Sequence, residues 1–468
     1  MEKHKIYING QWQAGTSGQY TDVMNPATEA VVAQVTTGSV ADIDEAVAAA
    51  KNAFTAWNLL APAERAGYIK KVRQGIEDRQ EELAQAMVAE LGCSISFARA
   101  TQVGLSLTEM DATLEEFEHF AFEETLDSTL IIKEGTGVVA AITPWNYPLN
   151  QIQRKITPAL LAGNTVVVKP ANETPLAAII LAEIIDAAGL PAGVFNLVTG
   201  KGSEIGNYLA GHEDVALISF TGSTDVGRGL YAQAAPHIKR LVLELGGKSA
   251  MIYLEGGNLE GAIKQTADTI INNTGQSCSA LTRLLVPSHL LDEVKDALRN
   301  YFSKQAIVGD PTLETTTVGP ISSKKQFDTV MEYIAKGKAE GAEVLIGGNA
   351  IEGTGYFIEP TVFTNVTNDM TIAREEIFGP VLTVLTYDTV EEAIAIANDS
   401  TYGLSGAVVG PPAEAEKVAR QLRTGNIYVN NGPRNSKAPF GGYKESGIGR
   451  ENGLYGVEDY LEIKALFK

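Results

Sequence analysis

The sequence predicts an α/β protein built from two doubly wound, open parallel-sheet domains in series, with a small β element set apart from both. Three observations predict this. Short, largely apolar runs at 138–142, 165–168, 194–198, 215–220 and 241–243 alternate with helical patterns, as strands buried on both faces of a parallel sheet should. A second alternation starts after Gly246, with runs at 250–254, 284–286, 344–346, 381–385 and 404–409. Finally, a Glu- and Phe-rich stretch over 108–134 ends in alternation at Leu130 and Ile132, and the tail 460–467 alternates as well. The tail can pair with that excursion or with the sheet edge of another chain.

Length and composition agree with this reading. A chain of 468 residues divides into two or three domains with ample core. Its net charge of −20 would repel nucleic acid and anionic membrane surfaces, so neither is an expected partner. Two cysteines, Cys93 and Cys278, make no disulfide framework. Without a CxxC or HExxH pattern, and with five scattered histidines, no metal site is expected. Met1-Glu2-Lys3-His4-Lys5 leads straight into Ile6-Tyr7-Ile8, with no apolar signal region, and no apolar run reaches the roughly 18 residues of a membrane span. The expected location is the cytoplasm.

Taken in order, residues 1–35 read as short strands and turns punctuated by Asn25-Pro26-Ala27-Thr28. Ser39 and Asp42 form a capping box, behind which Ile43, Val47, Ala50, Phe54 and Trp57 make one helical face. Pro62 starts a second helix. A third, carrying Leu83, Met87 and Leu91, stops at Gly92. Cys93 follows that cap and reads as structural. Over 176–188 the pattern is a helix with Thr174 as its cap and Pro175 at the first helical position. A further helix over 259–271 runs into the polar turn Asn272-Asn273-Thr274-Gly275-Gln276-Ser277-Cys278-Ser279-Ala280.

That turn organises the functional reading. A cysteine held there can present its sulfur to a ligand, although a lone cysteine is more often a small buried hydrophobe. Other candidates sit where the predicted strands end, the place where ligands bind in such sheets. Phe220-Thr221-Gly222-Ser223-Thr224 is a strand, a turn and a helix start, suited to phosphate oxygens. Gly200-Lys201-Gly202 is a weaker second candidate, and a purely topological turn competes at both places. Asn146 can donate to an oxyanion or close an Asx turn. Lys169 can meet a sugar hydroxyl or phosphate, or simply solvate a surface. Glu244, ending an apolar strand, can be a desolvated general base or half of a salt bridge.

In combination these residues resemble the aldehyde dehydrogenase superfamily nearly end to end. The resemblance is carried by Pro144-Trp145-Asn146, Lys169-Pro170, Phe220-Thr221-Gly222-Ser223, Glu244-Leu245-Gly246-Gly247-Lys248, Gly275-Gln276-x-Cys278, Glu376-Ile377-Phe378-Gly379-Pro380 and Pro439-Phe440-Gly441-Gly442. It implies a Rossmann-like NAD(P)-binding domain over 1–112 and 135–245 and a catalytic domain over 246–432. An oligomerisation element over 113–134 and 433–468 would build a homodimer or homotetramer. The implied chemistry begins with attack of Cys278 on an aldehyde, with Asn146 and the Cys278 N–H holding the oxyanion. NAD or NADP takes the hydride, Glu244 activates water against the thioester, and Lys155 relays protons. For the cofactor it implies Lys169 and Asn172 at the adenosine ribose and Glu376 and Phe378 at the nicotinamide end. Trp145, Gly202, Gly222, Ser223 and Leu245 would line the path between. Tyr147, Gln151, Arg154, Ser277 and Ser279 would shape a tunnel for a small aliphatic or polar aldehyde or semialdehyde.

Two positions depart from the pattern. NAD-preferring members often carry Glu where this chain has Asn172, with Glu173 one residue later, so repulsion of a 2′-phosphate is weakened and NADP stays open. Arg154-Lys155 resembles semialdehyde and small hydroxyaldehyde dehydrogenases, but the further arginine of succinate-semialdehyde members is replaced by Asn272. Three alternatives accompany the main reading. A CoA-acylating dehydrogenase is disfavoured by Glu244. A nicotinamide-independent cysteine hydrolase or acyltransferase would want an imidazole beside the thiol, and no histidine stands in a motif-bearing turn. A binding protein on an enzyme fold is disfavoured by intact Cys278, Glu244 and Asn146.

Overall fold

The computed structural model describes residues 3–468, and Met1 and Glu2, where the sequence reading found no apolar signal region, lie outside the described residues. An eight-stranded sheet has at its centre five parallel strands in the spatial order Phe195–Leu197, Thr165–Lys169, Val138–Ile142, Val215–Thr221, Arg240–Glu244. Numbered along the chain that order is 3-2-1-4-5, the doubly wound arrangement, and its direction reverses between Val138–Ile142 and Val215–Thr221. Alternation along these strands explains the two helical layers. Val139, Ala141, Val166 and Val168 join one apolar cluster, while Val138, Ala140, Ile142 and Val167 join another on the opposite face. The helix Val40–Asn58 covers the second face with Ile43, Ala46, Val47 and Ala50, and its predicted capping box at Ser39 and Asp42 is present.

A seven-stranded sheet repeats the device. Its strands Thr361–Thr364, Val381–Tyr387, Arg283–Pro287, Ala250–Tyr253, Ser405–Val409 and Asn426–Val429 are mutually parallel neighbours. Glu343–Ile346 closes one edge antiparallel. Here too adjacent residues face opposite ways: Ile252 and Leu385 belong to one cluster, Met251 and Val384 to another.

The third sheet is small. Glu123–Leu126 and Thr129–Gly135 form a hairpin, and the tail strand Leu461–Phe467 pairs antiparallel with Thr129–Gly135, Leu461 opposite Gly135 and Phe467 opposite Thr129. Of the excursion, residues up to Phe117 still belong to the helix Gly104–Phe117, which packs on the main body. Residues before the tail strand return to the first sheet, where Gly447–Ile448 pairs with Leu243 and Glu244.

The start of the helix Leu176–Ala187 differs from expectation. Pro175 occupies the cap position itself, and Thr174 Oγ1 donates to the Trp145 carbonyl at 3.1 Å instead of capping. The cap comes from the distant, fully buried Glu90, whose carboxylate accepts from Leu176 N at 2.6 Å and Ala177 N at 3.1 Å. A proline cannot donate an N–H and Thr174 is committed elsewhere, so the helix takes its acceptor from across the core. Gly92 does end the third helix in the left-handed region, at φ 82°, and Cys93 beside it is buried.

Candidate active site

A cavity of ≈ 270 Å³ opens where the order of the first sheet reverses. One wall comes from the turns after Val138–Ile142 and Val215–Thr221: Trp145, Asn146, Gly222 and Ser223, with Leu245 beyond Glu244. The facing wall is carried by the second sheet and holds Cys278, Glu376, Ile377 and Phe378. Residues 132 positions apart are thereby brought to one cleft, as Asn146 and Cys278 show.

The nucleophile loop is fixed by buried amides. Asn273 and Thr274 adopt positive φ of 50° and 55°, so the backbone turns sharply before Cys278. Asn146 Nδ2 donates to the Gln276 carbonyl at 3.0 Å, and Asn273 Nδ2 reaches that carbonyl at 3.2 Å and the Asn146 carbonyl at 2.9 Å. Gln102 Nε2 also donates to the Asn146 carbonyl, at 2.9 Å, and Gln276 Oε1 accepts from Ser322 N at 2.9 Å. The buried amide hydrogen bonds of Asn146, Asn273, Gln102 and Gln276 tie this loop to one geometry. Asn146 spends one amide hydrogen on this scaffold and keeps the other.

Electrostatics at the thiol run against ionisation. Burial, then the Glu376, Glu244 and Glu451 carboxyls, push Cys278 up to about 12, with Arg154 acting in the opposite sense. Glu244 is 2 % exposed and neither carboxyl oxygen has a hydrogen-bond partner. Its burial and the nearby Glu451 raise its pKa well above the ordinary carboxyl value. Gly441 leaves it room, since a Cβ there would stand 2.6 Å from Glu244 Oε1. Lys155 is wholly buried and donates to Glu451 Oε1 at 2.7 Å, while Glu451 Oε2 has no partner.

Glu376 accepts from Gly247 N at 2.9 Å, and burial raises it to about 7. A side chain on Gly246 would collide with it at 2.3 Å. The Phe378 ring meets Trp145 edge to face, with centroids 5.3 Å apart. On the adenosine side, Lys169 is 4 % exposed at its strand end, and burial lowers it to about 8 against the pull of Glu173. A Cβ on Gly202 would lie 3.5 Å from Lys169 Nζ, which brings the second glycine turn beside the lysine. Asn172 is half-buried in the same segment and Glu173 is exposed.

Several side chains differ from expectation. The Gly222 N–H donates to the Glu244 carbonyl at 3.0 Å, so it is not free for phosphate, and Ser223 Oγ caps the following helix at Val226 N. The Arg154 guanidinium is engaged by a buried carboxylate. Nε and one terminal nitrogen grip Glu109 at 2.7 and 2.5 Å, because that buried carboxylate needs a counter-charge. Gln151 is buried with Oε1 unpartnered and is not among the residues that line the Cys278 cavity. Tyr147 packs edge-on against Phe97, and Ser277 Oγ lies 3.4 Å from Ser279 Oγ.

Sequence reasoning missed Gln326, Thr329 and Tyr333, which line the cavity from the helix Lys324–Ala339. Gln326 Nε2 donates to the Ile377 and Phe378 carbonyls, both at 3.0 Å, and so fixes Phe378 at its positive φ of 56°. Nothing local distinguishes that glutamine from its charged neighbours. Glu109 and Glu451 were missed for the same reason: each is one glutamate in a helix or loop until the fold buries it.

A reversal-point crevice facing a cysteine loop is the architecture of a doubly wound α/β protein suited to a dinucleotide. A sequence profile described as the aldehyde dehydrogenase family matches residues 12–466, and the chain belongs to that family. It is 46% identical over 466 residues to a putative aldehyde dehydrogenase of Staphylococcus aureus strain MSSA476, covering 99% of this chain and 98% of the relative. Among solved structures it resembles aldehyde dehydrogenase C of Pseudomonas syringae, a mutant complexed with NAD+ and octanal. That match has a TM-score of 0.97 at 46% identity and covers 99% and 96% of the two chains. An aldehyde dehydrogenase of Bacillus cereus in complex with NAD+ matches with a TM-score of 0.96 at 40% identity, covering 99% and 96%.

Proposed function

We propose that this chain oxidises an aldehyde to a carboxylic acid, with NAD or NADP as electron acceptor and Cys278 as nucleophile. One observation carries the reading: Cys278 and Asn146 open onto the same cavity that begins at the reversal point of the first sheet.

The residues present suit a dinucleotide. Lys169 and Asn172 would take the adenosine ribose, Ser223 and Gly202 the path beyond, and Glu376 the nicotinamide ribose, with Phe378 and Trp145 against the ring. When bound, the dinucleotide supplies the acceptor for the aldehydic hydrogen. The protein supplies the rest. The Cys278 thiol gives its proton to solvent in the open cavity, and its sulfur bonds to the carbonyl carbon. The remaining amide hydrogen of Asn146 and the Cys278 N–H hold the oxyanion. After oxidation the carbon is a thioester. Glu244 then draws a proton from water, the water oxygen adds to the thioester carbon, and the Cys278 sulfur leaves with the acid released. Lys155 and Glu451, whose second oxygen is free, would pass that proton onward.

Glu244 favours water over CoA as the acyl acceptor. No histidine lines the Cys278 cavity, which disfavours a nicotinamide-free hydrolase. Asn172 leaves room for either cofactor. No helix among the described residues is long and apolar enough to cross a membrane, and we place the enzyme in the cytoplasm. The outer edges of Leu461–Phe467 and Asn426–Val429 are unpaired, and Ile463 and Phe467 are largely exposed; such edges fit a homodimer or homotetramer. The test is an aldehyde panel with each cofactor, with and without CoA. Reduced nicotinamide should form without CoA. No reduction with any aldehyde, or strict dependence on CoA, would overturn the reading.

A further inference from the structure

The motif Glu244-Leu245-Gly246-Gly247-Lys248 ends on a residue that the proposed reaction does not use. Lys248 is 2 % exposed, and its Nζ has no hydrogen-bond partner among the described residues. It lines a small cavity of ≈ 10 Å³ together with Arg283, Asn398, Ser405 and Thr424. That is room for one water or one monatomic ion. Ser405, 1 % exposed, lines the same cavity, and its Oγ has no partner either, although its N–H donates to Ser249 Oγ at 3.2 Å. Two buried donors that lack an acceptor, on the wall of one cavity, point to a shared partner that accepts from both.

Charge decides what that partner is. The chain carries −20 overall, yet cations gather at this place. Arg283 is buried and its guanidinium meets only neutral oxygens: the carbonyls of Lys248, Ile396 and Ala397 at 3.0, 3.0 and 2.9 Å, and the Asn368 side chain at 3.3 Å. It repels both Lys248 and Lys444, while Arg374 acts on Arg283 and Arg423 on Lys444 in the same sense. The carboxylates near enough to oppose them are engaged elsewhere. Asp399 bonds Arg374 at 3.0 Å, Glu376 accepts from Gly247 N, and Glu375 accepts from Tyr333 at 2.7 Å. Burial, and after it Arg283, push Lys248 down to about 7. A buried ammonium beside a buried guanidinium is costly unless an anion stands with them. Water could accept from the two donors, but it would leave the charge uncompensated.

We propose that Lys248 and Ser405, with Arg283 beside them, bind a monatomic anion of the halide class, chloride in an ordinary saline medium. The site lies where the two large sheets are joined. Lys248 stands between the strand Arg240–Glu244 of the first sheet and Ala250–Tyr253 of the second, while Arg283 and Ser405 open the two strands that flank Ala250–Tyr253. Seated there, the ion fastens the crossing chain one residue beyond Gly247, whose N–H holds Glu376 at the wall of the Cys278 cavity. Its role is structural, and the site stands whether or not Cys278 is the nucleophile.

Two measurements on the full chain test it. Crystals soaked in bromide and measured at the bromine absorption edge should show an anomalous peak touching Lys248 Nζ and Ser405 Oγ, and Lys248→Met should lose it. The second is thermal unfolding at fixed ionic strength, with chloride exchanged against gluconate, which is too large to enter. Above half-saturation the wild-type Tm should rise by about 1–2 °C for each tenfold rise in chloride. In Lys248→Met the two salts should give the same Tm. Ser405→Ala should need about fivefold more chloride for the same rise, the scale of one lost hydrogen bond. This variant keeps the charge, so it decides the matter should Lys248→Met fail to fold. A water in the cavity of bromide-soaked crystals, equal wild-type Tm in the two salts, or a chloride effect undiminished in either variant overturns the site. A bromide peak without a chloride-specific rise in Tm marks an adventitious ion only, and overturns it as well.

Discussion

Asn146 Nδ2 donates to the carbonyl of Gln276 at 3.0 Å, two residues before Cys278. The proposed oxyanion donor is thus also a strut of the loop that carries the nucleophile. Replacing Asn146 with Ala should lower kcat/KM by roughly 10²–10³, the scale for loss of an oxyanion donor. Asn146→Asp should be at least as damaging, because a carboxylate would repel the developing charge. Steady-state kinetics check both, and a loss under about fivefold in Asn146→Ala would deny Asn146 this role.

Glu244 has no partner for either carboxyl oxygen, which leaves it available to water. In Glu244→Gln the thioester should form and persist. Rapid-mixing traces should show a burst of reduced nicotinamide close to the enzyme concentration, then turnover slowed by about 10²-fold or more. Equal slowing of burst and steady state would place Glu244 outside deacylation.

Burial raises Glu376 to about 7. Below that pH the folded protein holds it protonated; above it the carboxylate can accept from two ribose hydroxyls. KM for the dinucleotide should therefore rise as pH falls through about 7, with kcat less affected. Glu376→Gln should give a high KM with little slope over the same range. A wild-type KM flat between about pH 6 and 8 would contradict this.

Glu90 is buried and caps the Leu176–Ala187 helix with both oxygens. Glu90→Ala should cost roughly 2–3 kcal/mol by urea denaturation, through lost capping and stranded N–H groups. Burial also raises Glu90 from 4.5 to about 8. The unfolded chain ionises from about 4.5 upward while the folded chain keeps the proton until about 8, so stability from this group is full below 4.5 and lost as pH rises through 8. Glu90→Gln lacks this titration and should gain on the wild type across that window. A constant stability difference would contradict the linkage.

Much of the layout was legible because it is written in local periodicity. The strands ending at Ile142, Lys169, Thr221 and Glu244 announce themselves as apolar runs, and the turns after them carry the polar residues that meet at the cleft. What stayed hidden depends on partners remote in sequence. Glu90 capping a helix that begins 86 residues later, Glu109 claiming the fork of Arg154, and Gln326 pinning Phe378 have no local signature. The cap assigned to Thr174 failed for the same reason: its hydroxyl is taken by the Trp145 carbonyl.

The central claim is that the Cys278 sulfur forms the covalent bond to substrate. The direct measurement is intact-protein mass spectrometry of Glu244→Gln quenched during turnover, with Cys278→Ala as control. An acyl adduct mapping to Cys278, absent in the control while dinucleotide binding persists, is the predicted result. An adduct on another residue, or substantial turnover by Cys278→Ala, would contradict it.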